Sequence, residues 1–217
     1  MRNISNEIYY YAISKIRGVL GHSHRTRQMS YIEYLALQRK KTEDLERRRL
    51  WLGPEYELKI IHFRDYFNTV LPKLINIDQS VLCVGARTGQ EVVAIKELGY
   101  LNSIGIDLVP CEPYVIFGDM HDLPFASASY AVIFTNSFDH SLDPLKFLEE
   151  VHRVLKPEGI FILHVLFNRP NDDFGVTDIY SPKAFRRLFK GFSIVQEGKI
   201  DLFSLNYEFI LKKVPLK

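Results

Sequence analysis

Short apolar runs alternate with helix-forming segments along this chain from Ser80 onward. Such alternation is typical of α/β domains, in which helices cover a mainly parallel sheet. Residues 130–134 are apolar at every position, as expected of a strand that is buried on both faces. This part of the chain is therefore predicted to form an α/β fold with helices on both faces of the sheet.

Seven strands and three helices are predicted after Ser80. The strands span residues 81–85, 103–107, 115–118, 130–135, 160–166, 192–197 and 207–213. The helices span residues 89–98, 144–155 and 182–189. Residues 156–159, with the sequence Lys-Pro-Glu-Gly, are predicted to form a turn that ends the second of these helices.

Residues 1–77 have apolar positions at helical spacing instead. They predict three helices, of which the second starts at Tyr31 and continues through the charged run 39–49. That run contains charges of both signs, which is typical of a solvated, ion-paired helix face. We therefore divide the chain into an N-terminal helical extension, residues 1–77, and a main domain, residues 78–217.

Composition excludes several classes of protein. The net charge of +2 is too small to indicate nucleic acid binding. No run approaches the roughly 18 apolar residues of a membrane helix, and no apolar signal segment follows the N-terminus. Cys83 and Cys111 lack the spacing of metal ligands, and His22 and His24 have no acids beside them, so no metal site is predicted. The expected location is the cytoplasm.

A strand, a glycine turn and a helix follow one another between residues 81 and 91. Gly85 permits a sharp turn and lets a ligand approach the backbone closely. Thr88 and Glu91 have the spacing of a capping box at the helix start. The first N–H groups of that helix can bind an anionic ligand group.

Carboxylates follow the next two strands. Asp107 lies 22 residues after Gly85, where an acid can accept hydrogen bonds from two ribose hydroxyls; the alternative is an ordinary aspartate that caps a loop. Asp119 lies in the polar turn after the third strand and can accept a hydrogen bond from the amino group of an adenine. The backbone N–H of Met120 can donate to a ring nitrogen. Together these residues predict an adenosine site.

These segments resemble the class I S-adenosylmethionine-dependent methyltransferases, in particular the bacterial small-molecule group. The resemblance covers about residues 79–167 and includes the segments 118–125, 138–140 and 150–159. It implies a Rossmann-like, mostly parallel seven-stranded sheet whose last strand is antiparallel, S-adenosylmethionine as the methyl donor, and a small-molecule acceptor. The donor-binding residues that it implies are Gly85, Ala86, Arg87, Gly89, Asp107, Leu108, Asp119, Met120 and Asn136.

The chain departs from the family pattern at three places. Cys83 stands where the family usually has an acid, and Arg87 stands where it usually has a glycine. Only residues 108–114 separate the second strand from the third, so the usual helix between them is not predicted. Arg87 can either bind the carboxylate of the donor or pair with Glu91, four residues later.

His140 follows the fourth strand, where methyl acceptors bind in this family, and two roles are open for it. It can act as a general base, or it can order the loop that also contains Asn136 and Asp139. Methyl transfer from a sulfonium often needs alignment and no proton removal. The N-terminal helices and residues 167–180 are expected to cover the pocket, with every donor contact after Ser80.

The predicted function is methyl transfer from S-adenosylmethionine to a small molecule. One alternative is a non-catalytic S-adenosylmethionine-binding protein with the same fold, which the altered glycine turn favours. A second alternative is a nicotinamide-dependent oxidoreductase, but the three-glycine fingerprint of dinucleotide-binding folds is missing.

Overall fold

The computed structural model of the chain describes residues 4–19, 21–167 and 173–216. Its α-helices are α1 (Ile4–Val19), α2 (Tyr31–Glu43), α3 (Leu45–Leu52), α4 (Tyr56–Val70), α5 (Gln90–Glu97), α6 (Pro144–Val154) and α7 (Pro182–Phe185). Its strands are β1 (His24–Thr26), β2 (Val81–Val84), β3 (Ser103–Asp107), β4 (Val115–Phe117), β5 (Tyr130–Thr135), β6 (Leu155–Val165), β7 (Thr177–Ile179), β8 (Phe192–Leu202) and β9 (Leu205–Lys213).

Seven of the strands form one sheet in the order β4-β3-β2-β5-β6-β9-β8. The first five strands in this order are parallel, and β9 is antiparallel to both of its neighbours. The predicted mostly parallel, seven-stranded sheet with an antiparallel last strand is therefore confirmed. In a sheet of this kind, ligands bind outside the carboxyl ends of the parallel strands.

Helices cover both faces of this sheet, as predicted. Side chains of α4 and α5 form one apolar cluster with Val132 and Phe134 of β5. Those of α6 form the other cluster with Ile133, which points to the opposite face. Phe67 of α4 is fully buried and meets the Phe134 ring edge-on, with 5.0 Å between centroids. Because successive side chains of β5 point to opposite faces of the sheet, this one strand packs against the helices of both layers.

The charged second helix of the N-terminal region is interrupted, contrary to the prediction of one continuous helix. α2 begins with a capping box formed by Ser30 and Glu33. The helix then breaks at Asp44, whose side chain accepts a hydrogen bond from the Arg47 amide and caps α3. An aspartate in this position competes with helix continuation by capping a new helix start.

A short strand, β1, was not predicted. It pairs antiparallel with β7, with Arg25 opposite Asp178 and Thr26 opposite Thr177. The N-terminal region is therefore not purely helical, and backbone hydrogen bonds join it to a segment in the last quarter of the chain. The division of the chain at residue 77 stays a prediction.

Two predicted boundaries in the second half were wrong. The expected turn at residues 156–159 is part of β6, because Tyr130 pairs with Leu155 and the register shifts before Val132 pairs with Ile160. A bulge of this kind absorbs the irregular residues without ending the strand. Strand β8 continues to Leu202 and joins β9 through a tight turn at Phe203 and Ser204.

Candidate functional site

Two adjoining cavities lie at the carboxyl ends of β2, β3 and β5. The inner cavity, of about 50 Å³, is bordered by Tyr34, Gln38, Lys41, Thr42, Val84, Gly85, Arg87, Ile106, Asp107, Leu108, Gly118, Met120, Ser137 and His140. The outer cavity, of about 380 Å³, is bordered by Lys41, Lys59, Phe63, Gly85, Ala86, Arg87, Gln90, Glu91, Asn136, Asp139, His140, Leu166, Phe203, Ser204 and Leu205. The two cavities share Lys41, Gly85, Arg87 and His140.

The structure brings most of the predicted site residues to these cavities. Gly85, Arg87, Asp107, Leu108, Met120 and His140 border the inner cavity. Ala86 and Asn136 border the outer one. Gly89 and Asp119 border neither of the two cavities. Which of these residues contact a ligand stays a prediction.

The turn after β2 is held against two neighbouring segments. Gly85 has a φ of 75°, and a side chain there would place its Cβ 2.8 Å from the Cβ and Oγ of Ser137. The amides of Gly85 and Ala86 both donate to the carbonyl oxygen of Ile106 at 2.9 Å. Only glycine fits this conformation and this space, so the turn depends on Gly85.

The helix after this turn starts differently from the prediction. Gly89, with a φ of 82°, is the residue that precedes α5, and no side chain caps the helix. The Thr88 hydroxyl donates to the Gln90 amide oxygen at 2.8 Å, and Glu91 is buried. The capping box of Thr88 and Glu91 was therefore wrong, because the left-handed glycine moves the helix start past Thr88.

Arg87 has a φ of 50°, in the left-handed region that favours glycine. This conformation explains why a glycine suits the position. The guanidinium lies over the Trp51 ring, with its Cζ 4.4 Å from the centroid. The described residues form no ion pair between Arg87 and Glu91; the guanidinium stacks on Trp51 in place of that pairing, which was one of its two predicted roles.

Asp107 is fixed by the backbone on both sides. One carboxylate oxygen accepts a hydrogen bond from the Arg87 amide at 3.1 Å, and the other accepts one from the Val109 amide at 3.1 Å. Burial raises the pKa of Asp107 above its ordinary value, although these amides and the positive charge of Arg87 act against that shift. The carboxylate still has lone pairs available at the wall of the inner cavity.

Asp119 lies under α2 instead of in a cavity wall. Its carboxylate accepts hydrogen bonds from the Tyr31 hydroxyl, from the His121 amide at 2.8 Å and from His121 Nδ1 at 3.0 Å. Burial alone would raise the pKa of Asp119, but the hydrogen bonds from His121 and Tyr31 hold it below its ordinary value. The polar turn after β4 is thus tied to the N-terminal region.

Sequence reasoning missed the contribution of α2 to the inner cavity. Tyr34, Gln38, Lys41 and Thr42 all border it, although every donor contact was expected after Ser80 and the N-terminal helices were expected only to cover the pocket. These four positions lie on one face of the helix, and all four are buried. Their spacing was visible in the sequence, but three of the four side chains are polar, which hid the buried face.

His140 is held from both ring nitrogens. Nδ1 lies 3.1 Å from the carbonyl oxygen of Phe174, and Nε2 lies 2.7 Å from Nζ of Lys41. A carbonyl oxygen only accepts, so Nδ1 carries the proton and Nε2 accepts from the Lys41 ammonium. This arrangement favours the positioning role, since the lone pair that a general base needs is engaged by Lys41.

The outer cavity has apolar and charged walls. Phe63, Leu166, Phe203 and Leu205 form the apolar part, and Phe203 stacks at a tilt on Phe63 with 4.4 Å between ring centroids. Burial raises the pKa of Glu91, at the base of α5, to about 7. Phe203 and Ser204 both have positive φ angles. Neither residue type favours that conformation, so the sequence carried no signal for this turn.

The expected cover over the site is described in part. Residues 168–172 lie outside the described residues. Beyond them, the Phe174 carbonyl accepts hydrogen bonds from Gln38 and His140, and the Phe174 ring lies under the Arg47 guanidinium at 4.7 Å. The Val176 amide donates to the Asp139 carbonyl at 2.9 Å. This segment therefore packs against α2 and against the loop that contains Asp139 and His140.

Neither a metal cluster nor a membrane span is found in the described part of the chain. No group of three potential metal ligands lies together there. None of the described helices has the length and hydropathy needed to cross a bilayer.

Comparison with known proteins gives a match over the centre of the sheet. Residues 82–163 match the protein family described as "Methyltransferase domain". Over 104 residues the chain is 36% identical to malonyl-[acyl-carrier protein] O-methyltransferase 1 of Coxiella burnetii. That match covers 43% of this chain and 36% of the relative, so the chain spans about a third of the length of this curated protein.

Solved structures match over a larger part of the chain. The 1,6-didemethyltoxoflavin-N1-methyltransferase of Burkholderia thailandensis, solved with 1,6-didemethyltoxoflavin and S-adenosylhomocysteine, is 16% identical, with a TM-score of 0.65 and coverage of 88% of this chain and 93% of that one. A methyltransferase of Haloferax volcanii, solved with the Trm112 activator, is also 16% identical, with a TM-score of 0.61 and coverage of 83% and 98%. At this identity the likeness concerns the fold alone.

Proposed function

We propose that this chain is a class I S-adenosylmethionine-dependent methyltransferase, which binds S-adenosylmethionine and transfers its methyl group to a small-molecule acceptor. The observation that carries this proposal is the joining of two cavities at Gly85 and Arg87, with the Asp107 carboxylate in the wall of the inner one. The residues around the inner cavity suit a nucleoside once α2 shifts, and the outer cavity suits a second molecule.

The residues around the inner cavity fit the adenosine end of this donor. Asp107 offers a carboxylate for ribose hydroxyls, and Leu108 and Met120 offer apolar contacts to a base. Gly85 lets a ligand approach the backbone of the turn. The cavity is smaller than ligand pockets in general, which are roughly 300–1,000 Å³, and Tyr34 and Gln38 of α2 form part of its wall. Binding of the donor therefore requires α2 to shift.

When bound, S-adenosylmethionine supplies a methyl group on a sulfonium, which is reactive without further activation. The protein's task is to hold the acceptor atom in line with that group and to exclude water. Asn136 and His140, in the loop after β5, border the outer cavity and orient the acceptor there. The segment at Phe174 and helix α2 close the site from above.

The alternative that remains is a protein that binds the donor without transferring the methyl group. The side chain at Arg87, in a position where glycine is usual, is the feature that favours it. Donor binding and methyl transfer must therefore be measured separately.

Thermal melting of the full chain tests whether it binds the donor. S-adenosylhomocysteine should raise the melting temperature, because a ligand that binds only the native state stabilises it. NADH at the same concentration should leave it unchanged. A shift with NADH and none with S-adenosylhomocysteine would contradict the proposal. Formation of S-adenosylhomocysteine from S-adenosylmethionine, in the presence of candidate small molecules, then distinguishes the enzyme from the non-catalytic alternative.

A further inference from the structure

The hairpin between β8 and β9 ends at the wall of the outer cavity. Its strands close at the pair Leu202 and Leu205, so Phe203 and Ser204 form a two-residue loop, the hairpin tip. Their φ angles are 53° and 67°. Positive φ at both loop residues is the type I′ arrangement, for which asparagine and glycine are the preferred residues. A phenylalanine holds this conformation only at a cost in free energy, so the turn itself does not explain the choice of Phe203.

The ring of Phe203 is held at the cavity by α4. It lies 4.4 Å from the Phe63 ring and 5.9 Å from the His62 ring, measured between centroids. Phe63 is buried and meets the core residue Phe134 edge-on, so its own position is fixed. Phe203 is only partly buried, and both phenylalanines border the cavity. The fold therefore fixes one side of the Phe203 ring and leaves part of it open to a ligand.

The rest of this part of the wall is apolar or charge-balanced. Leu166 and Leu205 complete the apolar surface. Lys59, one turn before Phe63 on α4, forms an ion pair with Glu55 at 2.7 Å. A ligand here is therefore recognised by apolar contact and by ring geometry. An aromatic ring placed edge-on or offset against another ring gains more than an aliphatic group of the same area does.

We propose that the methyl acceptor carries an aromatic ring and that Phe203, at the hairpin tip, binds this ring. The inference rests on the proposed methyl transfer and names the class of its acceptor. The outer cavity, of about 380 Å³, extends from the hairpin tip to Gly85 and Arg87, where it joins the inner cavity. A flat, rigid acceptor that contacts a fixed ring has few orientations available. Methyl transfer in line with the sulfonium requires such a restriction.

Calorimetry on the full chain, saturated with S-adenosylhomocysteine, tests the proposal with 2-naphthol and decahydro-2-naphthol, which share a carbon skeleton and a hydroxyl group. The aromatic probe should bind at least about threefold more tightly, as expected of the extra contribution of an aromatic pair. In Phe203→Leu this ratio should fall close to one, while Phe203→Tyr should keep it. The control Phe117→Leu changes an exposed phenylalanine that borders neither cavity and should keep the full ratio.

The other outcomes separate this inference from the proposed function. If the chain binds S-adenosylhomocysteine but shows no preference for 2-naphthol, or binds neither probe, the aromatic acceptor is overturned and the methyltransferase proposal stands. A preference that survives in Phe203→Leu overturns the role of this residue and reduces it to packing on Phe63. If the wild-type chain does not bind S-adenosylhomocysteine, the proposed function itself fails. The wild-type ratio needs no variant, so it decides even if Phe203→Leu does not fold.

Discussion

The carboxylate of Asp107 accepts a hydrogen bond from the backbone amide of Arg87 at 3.1 Å, which ties the end of β3 to the turn after β2. The Val109 amide holds the other carboxylate oxygen. The turn and the acid therefore form one rigid unit at the inner cavity. Such a unit places a charged acceptor at a fixed distance from the glycine turn before any ligand binds.

The first prediction concerns this unit. Asp107→Ala removes a charged acceptor from the wall of the inner cavity. Hydrogen bonds to charged groups contribute about 1.5–3 kcal/mol, so the affinity for S-adenosylhomocysteine should fall roughly tenfold or more. Calorimetry measures it, with the exposed Asp78→Ala as the control variant. Unchanged affinity in a folded Asp107→Ala protein would show that this acid is not the ribose ligand.

The second prediction concerns pH and Glu91. Burial raises its pKa from 4.5 to about 7 in the native state, so between these values the native state holds more protons than the unfolded chain. The free energy of unfolding should therefore fall as pH rises through this window. Glu91→Gln removes the effect. At about pH 8 the variant should be more stable than wild type by on the order of 3 kcal/mol, since one pKa unit corresponds to about 1.4 kcal/mol.

Denaturant unfolding of the ligand-free protein at several pH values checks this. The difference between Glu91→Gln and wild type should vanish well below pH 4.5, where the group is protonated in both states. Glu97→Gln removes a carboxylate from the exposed end of the same helix α5, where it pairs with Arg64, and is the matched control; it should not stabilise the protein at pH 8. A difference that does not vary with pH would mean that the variant acts through packing.

The third prediction concerns a hydrogen-bond network between α4 and the sheet. Glu208 is buried and accepts hydrogen bonds from the Tyr66 hydroxyl and from His164 Nε2 at 3.0 Å. Burial would raise the pKa of Glu208, but these hydrogen bonds hold it below its ordinary value. Tyr66→Phe leaves the buried carboxylate with one donor fewer and should cost about 1.5–3 kcal/mol of unfolding free energy.

Urea unfolding of Tyr66→Phe measures this cost. Tyr130→Phe is a suitable control, because the structure describes no hydrogen bond of the half-buried Tyr130 hydroxyl. The control should change stability by less than about 0.5 kcal/mol. Equal effects of the two substitutions would show that the network contributes nothing specific.

The bounds of β3 and β5 could be predicted from the sequence. β5 begins and ends close to its apolar run, because a strand that is covered on both faces is mostly apolar and is flanked by turn residues. β1 could not be predicted, since its three residues form a strand only by pairing with β7 far along the chain. Local pattern carries no information about such a partner.

The site likewise contains residues that the sequence could predict and residues that it could not. The turn at Gly85 and the acid at Asp107 were found because their spacing reflects the local strand-turn-helix geometry. Lys41 was read as part of a solvated charged run, but the fold buries it against His140. Its neighbour Lys40 has the same side chain and stays exposed. The two lysines differ in exposure only because of how α2 packs on the edge of the sheet.

That packing gives the last prediction, which concerns the release of α2. The Tyr31 hydroxyl hydrogen-bonds Asp119, the residue proposed to accept the adenine amino group, and burial together with Asp119 raises the pKa of Tyr31. An incoming adenine must then compete with Tyr31 for this carboxylate. Tyr31→Phe removes this hydrogen bond from the ligand-free protein and leaves the contacts of the bound adenine unchanged. The affinity for S-adenosylhomocysteine should therefore rise about fivefold, since a partly exposed hydrogen bond contributes about 1 kcal/mol.

Calorimetry with S-adenosylhomocysteine measures this change, and the rate constant of association from stopped-flow fluorescence should rise with it, because less of α2 must be released before the ligand enters. Tyr100→Phe serves as the control, since no side-chain hydrogen bond of Tyr100 is described and it borders neither cavity. Unchanged affinity in Tyr31→Phe would remove Asp119 from the adenine site. Weaker binding would instead place the Tyr31 hydroxyl inside the bound complex, where α2 closes over the ligand and keeps its hydrogen bond.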